Sequence, residues 1–250
     1  MKVLVMGYGS IGRRHAANAL SFGHRVAVHD PQPSELPPPE MRYFPMDVAA
    51  YAWNPDAIVI ATPASTHGTL YKRAIAVCHS VFIEKPLALN MFDFCNGHSD
   101  GRFGVDSRSH VQVGCNWRFH PLVTTLRHHA DIVPGWPQEA DLWVLCDSRE
   151  WPGTGYADGL LECGAHEIDL AQYFCGKITH VSDASFVENI WRLALEHETG
   201  AKSRITICDR AQLGRGMRIT WPTHVGGYHV PYGDPHLLDD DEISYRLEME

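Results

Sequence analysis

Three glycines, two carboxylates, a lysine and a histidine carry the chemistry legible in this chain. Gly7-Tyr8-Gly9-Ser10-Ile11-Gly12 follows the apolar run Val3-Leu4-Val5-Met6, and Ser10 to Phe22 reads as a helix that Gly23 stops. A strand that ends in G-x-G-x-x-G and opens a helix is the fingerprint of dinucleotide binding. Gly7 permits the tight turn, Gly9 lets backbone approach a pyrophosphate, and Gly12 lets the helix pack close on the strand. Ser10 and Ile11 open that helix and join the expected cofactor-binding set, because a helix N-terminus favours phosphate charge. The next run, Arg25-Val26-Ala27-Val28-His29, ends in Asp30, 18 positions after Gly12. A carboxylate there accepts both ribose hydroxyls of NAD and repels the 2′-phosphate of NADP, so NAD is the expected cofactor. Arg13 and Arg14 run against that preference, since either can reach toward a 2′-phosphate. The glycines alone also suit an ordinary turn in a βαβ unit.

Lys85 stands just past the predicted strand Val81-Phe82-Ile83, in Glu84-Lys85-Pro86. Open α/β sheets bind ligands at the C-terminal ends of their strands. A lysine there can donate to a substrate hydroxyl and stabilise charge developing on its oxygen; a solvated strand-end lysine is the plainer alternative. His166 lies on the predicted helix Leu160 to Phe174, four residues after Glu162 and three before Asp169. The i, i+4 spacing puts Glu162 and His166 on one face. A histidine beside a carboxylate can act as general base toward an alcohol proton, and a hydrogen-bonded core histidine is the other reading. Cys163 and His166 form C-x-x-H with no second ligand pair, so no metal is expected. Asn116, Arg118 and His120 alternate in a strand-like segment and can point to one side. That set suits a hydroxyl-rich substrate, with Arg118 able to hold a carboxylate or phosphate; structural roles fit each of them nearly as well. Asp147, Arg149 and Trp151 are further candidates to line the same cleft.

The elements that must position these groups alternate through the first half. Pro31 to Pro39 is too proline-rich for a helix, so an irregular loop is expected there, with a short helix over Asp47 to Ala52. Ala57-Ile58-Val59-Ile60-Ala61 is continuously apolar, as in a central parallel strand buried on both faces. A helix is expected from about Thr66 to Cys78, a loop around a broken helix over Asn96 to His110, and a strand over Val111 to Cys115. Beyond residue 120 the texture changes. His120 to His129 looks helical and Ala140 to Cys146 strand-like. The runs Ile178 to Phe186, Ile190 to Glu196, Ser203 to Asp209 and Met217 to Trp221 point to an antiparallel sheet covered on one face by helices.

Composition sets the outer bounds. The 250 residues are 44% hydrophobic and 20% charged, an ordinary globular balance. The net charge of −9 argues against a nucleic-acid partner. Much of it sits in Asp234, Asp239, Asp240, Asp241, Glu242, Glu248 and Glu250, against Arg246 alone. Seven scattered cysteines without a C-x-x-C pair read as buried free thiols of a reducing compartment. With Met1-Lys2 leading straight into a strand and no apolar run of membrane length, the expectation is a cytoplasmic chain without membrane contact.

Five segments now stand in register. They are Gly7 to His15, Ala61-Thr62-Pro63 with His67, Glu84-Lys85-Pro86, Gly114-Cys115-Asn116-Trp117-Arg118-Phe119-His120-Pro121, and Glu162-Cys163-Gly164-Ala165-His166-Glu167-Ile168-Asp169. Their order and spacing resemble the Gfo/Idh/MocA oxidoreductases over about residues 1–210. The resemblance implies an N-terminal Rossmann domain with a parallel sheet, expected over 1–118. It also implies a C-terminal α+β domain with a mostly antiparallel open sheet, expected over 119–250 and often a dimer interface. Lys85 then matches the family's catalytic lysine, with a cis Lys85-Pro86 peptide, and His166 the histidine of its Asp-x-x-x-His pair. Glu162 replaces that aspartate, and its extra methylene shifts the carboxylate. Thr62, Pro63, His67 and Glu84 are expected to border the cofactor, and Asn116, Arg118, His120 and Asp169 the substrate.

The implied activity is hydride transfer between NAD and a secondary alcohol of a sugar, nucleotide-sugar or cyclitol, in a homo-oligomer. Competing readings are a non-catalytic NAD-binding regulator, a truncated inactive homologue, or a glycosidase or lyase that oxidises its substrate transiently. Against the family pattern the second domain is abbreviated. Tyr245-Arg246-Leu247-Glu248 resembles the beginning of a late helix rather than its end.

Overall fold

The computed structural model describes residues 1–89, 110–147, 160, 164–209, 214–223 and 225–231. It divides into two compact units, Met1–Gly114 and the residues from Cys115 onward.

The first unit holds a six-stranded sheet of β1 (Lys2–Met6), β2 (Arg25–His29), β3 (Arg42–Phe44), β4 (Ala57–Ile60), β5 (Ser80–Ile83) and β6 (His110–Val113). The order is β3-β2-β1-β4-β5-β6 and every pair is parallel. This is the doubly wound Rossmann order, in which strand order reverses between β1 and β4 and leaves a crevice at their C-terminal ends. The continuous apolar runs follow from burial on both faces. Leu4, Met6, Ile58 and Ile60 join one core cluster, while Val3, Val5 and Val59 join another. The helices are α1 (Ser10–Ser21), α2 (Asp47–Ala52) and α3 (Ala64–Ile75). As the prolines require, residues 31–40 form an irregular connection. Tyr43 of the short β3 ties into it, its hydroxyl donating to the Asp30 carbonyl at 2.9 Å.

The second unit opens with a 3-10 turn, Asn116–Phe119, followed by α4 (Pro121–Ile132), β7 (Glu139–Cys146) and α5 (Gly164–Cys175). Strands β8 (Ile178–Val187), β9 (Ile190–His197), β10 (Lys202–Asp209), β11 (Gly214–Thr220) and β12 (Val225–Pro231) complete it. The sheet order is β12-β11-β7-β10-β9-β8. All its pairs are antiparallel except β7 with β10, which are parallel. The chain leaves β7, forms α5 and the β8–β9 hairpin, and only then adds β10 beside β7. Glu188 and Asn189, both at positive φ (52° and 63°), make the two-residue hairpin turn that strand twist favours. Helices α4 and α5 cover one face: Val123, Leu126, Leu170 and Phe174 pack with Leu142, Val144, Ile205, Ile207, Met217 and Ile219. Elsewhere on this sheet a charge ladder crosses three strands, with Asp141 of β7 accepting from Arg204 of β10 and Arg218 of β11, each at 2.6 Å. Partial burial pushes the Asp141 carboxyl up, and the hydrogen bonds from the two arginines outweigh it and hold the group below its ordinary value.

Strands β3 and β12 lie outside the sequence expectations. One is only three residues long, and the other carries Gly226-Gly227 and ends in a proline, a composition that reads as a turn. The segment around Asn116 departs more sharply: a 3-10 turn stands where a strand was expected. Cys78, Cys146 and Cys175 are buried free thiols, while Cys115 and Cys208 are partly exposed. Of the loop expected over Asn96 to His110, His110 opens β6 and residues 96–109 lie outside the described residues, as does the acidic tail from 232. So do Glu162, Cys163, Arg149, Trp151 and Cys95. No described helix is long and apolar enough to cross a membrane.

Candidate functional site

Gly7 leaves β1 at φ +92°, a conformation that side chains rarely adopt, and a Cβ there would lie 2.5 Å from the Ala61 carbonyl oxygen. A Cβ on Gly12 would lie 2.0 Å from the Gly7 oxygen, so α1 sits directly against the turn. Gly9 differs from both. It is exposed, and its missing Cβ would meet nothing within 4 Å. Gly9 is also the N-cap of α1, with no side-chain cap and no acidic residue in the first turn. Exposed Ser10 and half-buried Ile11 follow it. Uncapped N–H groups beside an open glycine make a cradle for a phosphate group, and these residues fit a dinucleotide's pyrophosphate.

At the end of β2, the Asp30 carboxylate is aimed by backbone. The Tyr8 N–H donates to Oδ2 at 2.8 Å and the Gln32 N–H to Oδ1 at 2.9 Å. Each oxygen retains acceptor capacity for a ribose hydroxyl. Asp30 is thus tied to the middle of the glycine loop, close to where a pyrophosphate would rest.

At the end of β5, Glu84 is buried. One carboxylate oxygen lies 2.6 Å from His15 Nε2 of α1, and the other accepts from the Lys85 N–H at 3.1 Å. His15 is itself fully buried, edge-on to the Phe82 ring. The backbone of Lys85 is therefore anchored through Glu84 to the cofactor helix, and the Lys85-Pro86 peptide is cis. His15 is a site residue that sequence reasoning did not assign. The available signal was its place one helical turn beyond Gly12, on the face that must meet the sheet. His67 is fully buried as well, with Nδ1 3.0 Å from the Pro86 oxygen and Nε2 2.8 Å from the Thr62 oxygen. It clamps the segments after β4 and β5 together, and its ring is packed inside the unit instead of lining an open cleft. Thr62 and Pro63 lie at the end of β4, where the Thr62 and Thr66 hydroxyls share a 2.7 Å hydrogen bond.

In the second unit, Asn116, Arg118 and His120 do not share a strand face. At three residues per turn, a 3-10 helix sends such positions in different directions. Arg118 is committed to Asp169 of α5 by a two-pronged ion pair at 2.7 and 2.5 Å, with its guanidinium over the Tyr173 ring at 5.0 Å. Bidentate pairs of this kind are among the stronger polar contacts. Arg118 is thus not an uncommitted anion holder, and Asp169 serves to hold it. Asn116 is buried, and His120 is a buried N-cap whose Nδ1 accepts from the Leu122 N–H at 3.3 Å. The His120 ring stacks on Trp117 at 4.4 Å, and Arg215 lies over the Trp117 ring at 4.1 Å. Arg215 in turn pairs with buried Glu167 at 2.6 Å. His166 is buried beside Glu167 on α5. Among the described residues no cluster of potential metal ligands occurs.

Residues 1–95 match the family model of the Gfo/Idh/MocA oxidoreductases, described as an oxidoreductase family with an NAD-binding Rossmann fold. The first unit is thus similar to the NAD-binding unit of the Gfo/Idh/MocA oxidoreductases. The chain is 27% identical over 241 residues to an inositol 2-dehydrogenase of Rhizobium meliloti, covering 86% of this chain and 71% of that protein. It is 25% identical over 198 residues to an NAD(+)-dependent scyllo-inositol 2-dehydrogenase of Bacillus subtilis, covering 73% and 56% respectively. The chain thus spans little more than half the length of the second relative. In fold it is similar to the WlbA (WbpB) dehydrogenase of Thermus thermophilus, solved with NAD and UDP-GlcNAcA. The TM-score is 0.71 at 19% identity, over 100% of this chain and 93% of that one.

In this unit the three glycines answer to different constraints, and substitution separates them. Gly12→Ala forces backbone apart and is expected to cost about 1–3 kcal/mol or more. Gly9→Ala enters open space and is expected to change stability by less than about 1 kcal/mol. It should nonetheless weaken NADH binding about tenfold, or about 1.4 kcal/mol. Thermal melting with NADH fluorescence titration checks both, and equal destabilisation by the two variants would refute the distinction.

Proposed function

We propose that the chain is an NAD-dependent oxidoreductase acting on a secondary alcohol of a sugar, nucleotide-sugar or cyclitol. The observation that carries this reading is the anchoring of Lys85 at the end of β5. Glu84 joins its backbone to His15, on the helix whose N-terminus forms the phosphate cradle. Two relatives that act on inositols support the substrate class. Bound NAD+ supplies the hydride acceptor. Lys85 donates from Nζ to the substrate oxygen and stabilises the charge that grows there. His166 takes the hydroxyl proton. Glu167, paired with Arg215, fixes the adjoining stretch of α5 against β11 and so holds the helix that carries His166. Asp30 receives the adenosine ribose, and the Gly9 cradle the pyrophosphate.

We also read the chain as a homo-oligomer. The ten-residue edge strand β8 is exposed along most of its length, with Val181, Phe186 and Val187 each 51–57% exposed. Apolar groups on an edge strand that is unpaired among the described residues favour association with another copy. Light scattering at micromolar concentration is expected to return at least a dimer mass, and a soluble, folded monomer would contradict it.

Wild-type chain should bind NADH more tightly than NADPH, and Asp30→Ala should weaken NADH by about 1–3 kcal/mol through lost charged hydrogen bonds. Fluorescence titration decides, and equal or tighter NADPH binding overturns the cofactor preference. Lys85→Ala and His166→Ala should each lower turnover of myo-inositol, or of another polyol found by screening, by roughly 10²–10⁴ with NADH binding retained. Wild-type turnover in either variant removes that residue from the mechanism. Loss of NADH binding in both would recast them as structural or cofactor-holding groups.

A further inference from the structure

Arg13 and Glu35 form an ion pair between the first turn of α1 and the proline-rich connection after β2. Both flank the residues that aim Asp30. Arg13 lies four positions past Gly9 and bonds to it through the backbone, its N–H donating to the Gly9 carbonyl at 2.9 Å. Tyr8, whose backbone N–H holds Asp30 and whose ring is buried, lies within reach of both charges. Burial raises the Tyr8 phenol above its ordinary value; the Glu35 charge raises it further and the Arg13 charge lowers it, so both charges bear on this residue. The side chains of the pair are 39% and 61% exposed, so both face water on the rim of the glycine loop.

From this arrangement we infer that Glu35 is a specificity-determining residue, a charge lock that neutralises Arg13 and keeps it from serving the 2′-phosphate of NADP. The inference rests on the NAD-binding reading above. Asp30 by itself sets a negative group against a 2′-phosphate, but an unpaired arginine one helical turn past Gly9 would offset that repulsion. Arginine is the side chain best shaped to grip a phosphate, with several donors in a planar fork. Glu35 removes that offset twice over, by occupying the guanidinium and by adding a second negative charge on the same rim. It touches no part of the cofactor in this role. It acts through Arg13, and the proline-rich stretch of Pro31, Pro33, Pro37, Pro38 and Pro39 restricts the backbone that presents it.

The test is a double-mutant cycle on the full chain, reading the ratio of NADPH to NADH dissociation constants by fluorescence titration. Glu35→Gln should lower that ratio about five- to tenfold by freeing Arg13. Arg13→Gln alone should not lower it, because Glu35 is then unpaired and repels the phosphate. The double variant Arg13→Gln/Glu35→Gln should lose most of the gain seen with Glu35→Gln alone, which shows that the effect runs through Arg13. Raising the salt concentration should shrink the Glu35→Gln effect, since the charges are exposed. Glu35→Ala gives the same readout with a second side chain at an exposed loop position. A ratio within twofold of wild type in both Glu35 variants, with NADH still bound, overturns the charge lock and leaves the NAD reading standing. So does an unchanged gain in the double variant. Absence of NADH binding in the wild type overturns the NAD reading itself, and the lock with it.

Discussion

The first unit depends on one close approach, helix α1 lying backbone to backbone against the turn that leaves β1. A Cβ at Gly12 would lie 2.0 Å from the Gly7 oxygen, and one at Gly7 would lie 2.5 Å from the Ala61 oxygen. Three segments therefore meet with no side chain between them: the end of β1, the start of α1 and the end of β4. This contact brings the helix N-terminus to the crevice where strand order reverses. One turn further on, it brings His15 within 2.6 Å of Glu84. Had α1 stood off by the width of a methyl group, that buried hydrogen bond would be stretched and the backbone of Lys85 would lose its anchor. The candidate phosphate cradle and the anchoring of the Lys85 backbone are two consequences of a single packing constraint.

Buried polar groups in the second unit show a different economy, in which charges are consumed in pairs that order the elements. Glu167 and Arg215 join α5 to β11, and Asp169 and Arg118 join α5 to the 3-10 turn. Removing one partner of the buried Glu167–Arg215 pair is expected to cost about 3–5 kcal/mol, because the other charge is left in a poor solvent, whereas the part-exposed Arg118–Asp169 pair is worth less. Stacking extends the same assembly. His120, Trp117 and Arg215 lie one on another, and His120 also caps α4. Residues that in isolation look like a polar lining are thus largely the joints of the unit. His166, next to Glu167 on α5, inherits its placement from these joints.

Legibility in the sequence followed the range of the interaction concerned. The strands of the first sheet announce themselves as continuous apolar runs because both faces are buried, as Leu4 and Val5 in separate core clusters illustrate. The glycine turn, the helix start and Asp30 are legible because their requirements are local to a few residues. β12 was not legible. Gly226 and Gly227 favour a turn locally, and only pairing with β11 makes them a strand. The strand-like reading of Asn116 to His120 failed for a related reason. Alternation of polar and aromatic residues is shared by an extended chain and by a tight helical turn that stacks Trp117 on His120.

What the sequence by itself determined, then, was most of the order of elements and the Rossmann nature of the first unit, together with a candidate phosphate cradle, lysine and histidine. Periodicity, turn chemistry and motif spacing are all properties of neighbouring residues. Tertiary structure alone decided which charged groups face each other. Glu84 meets His15 across 69 residues and Arg118 meets Asp169 across 51. Arg13 meets Glu35 across the irregular connection after β2. An arginine or a glutamate has the same identity whether it is paired or open to a ligand. Its chemistry is settled by what folding brings within about 3 Å of it.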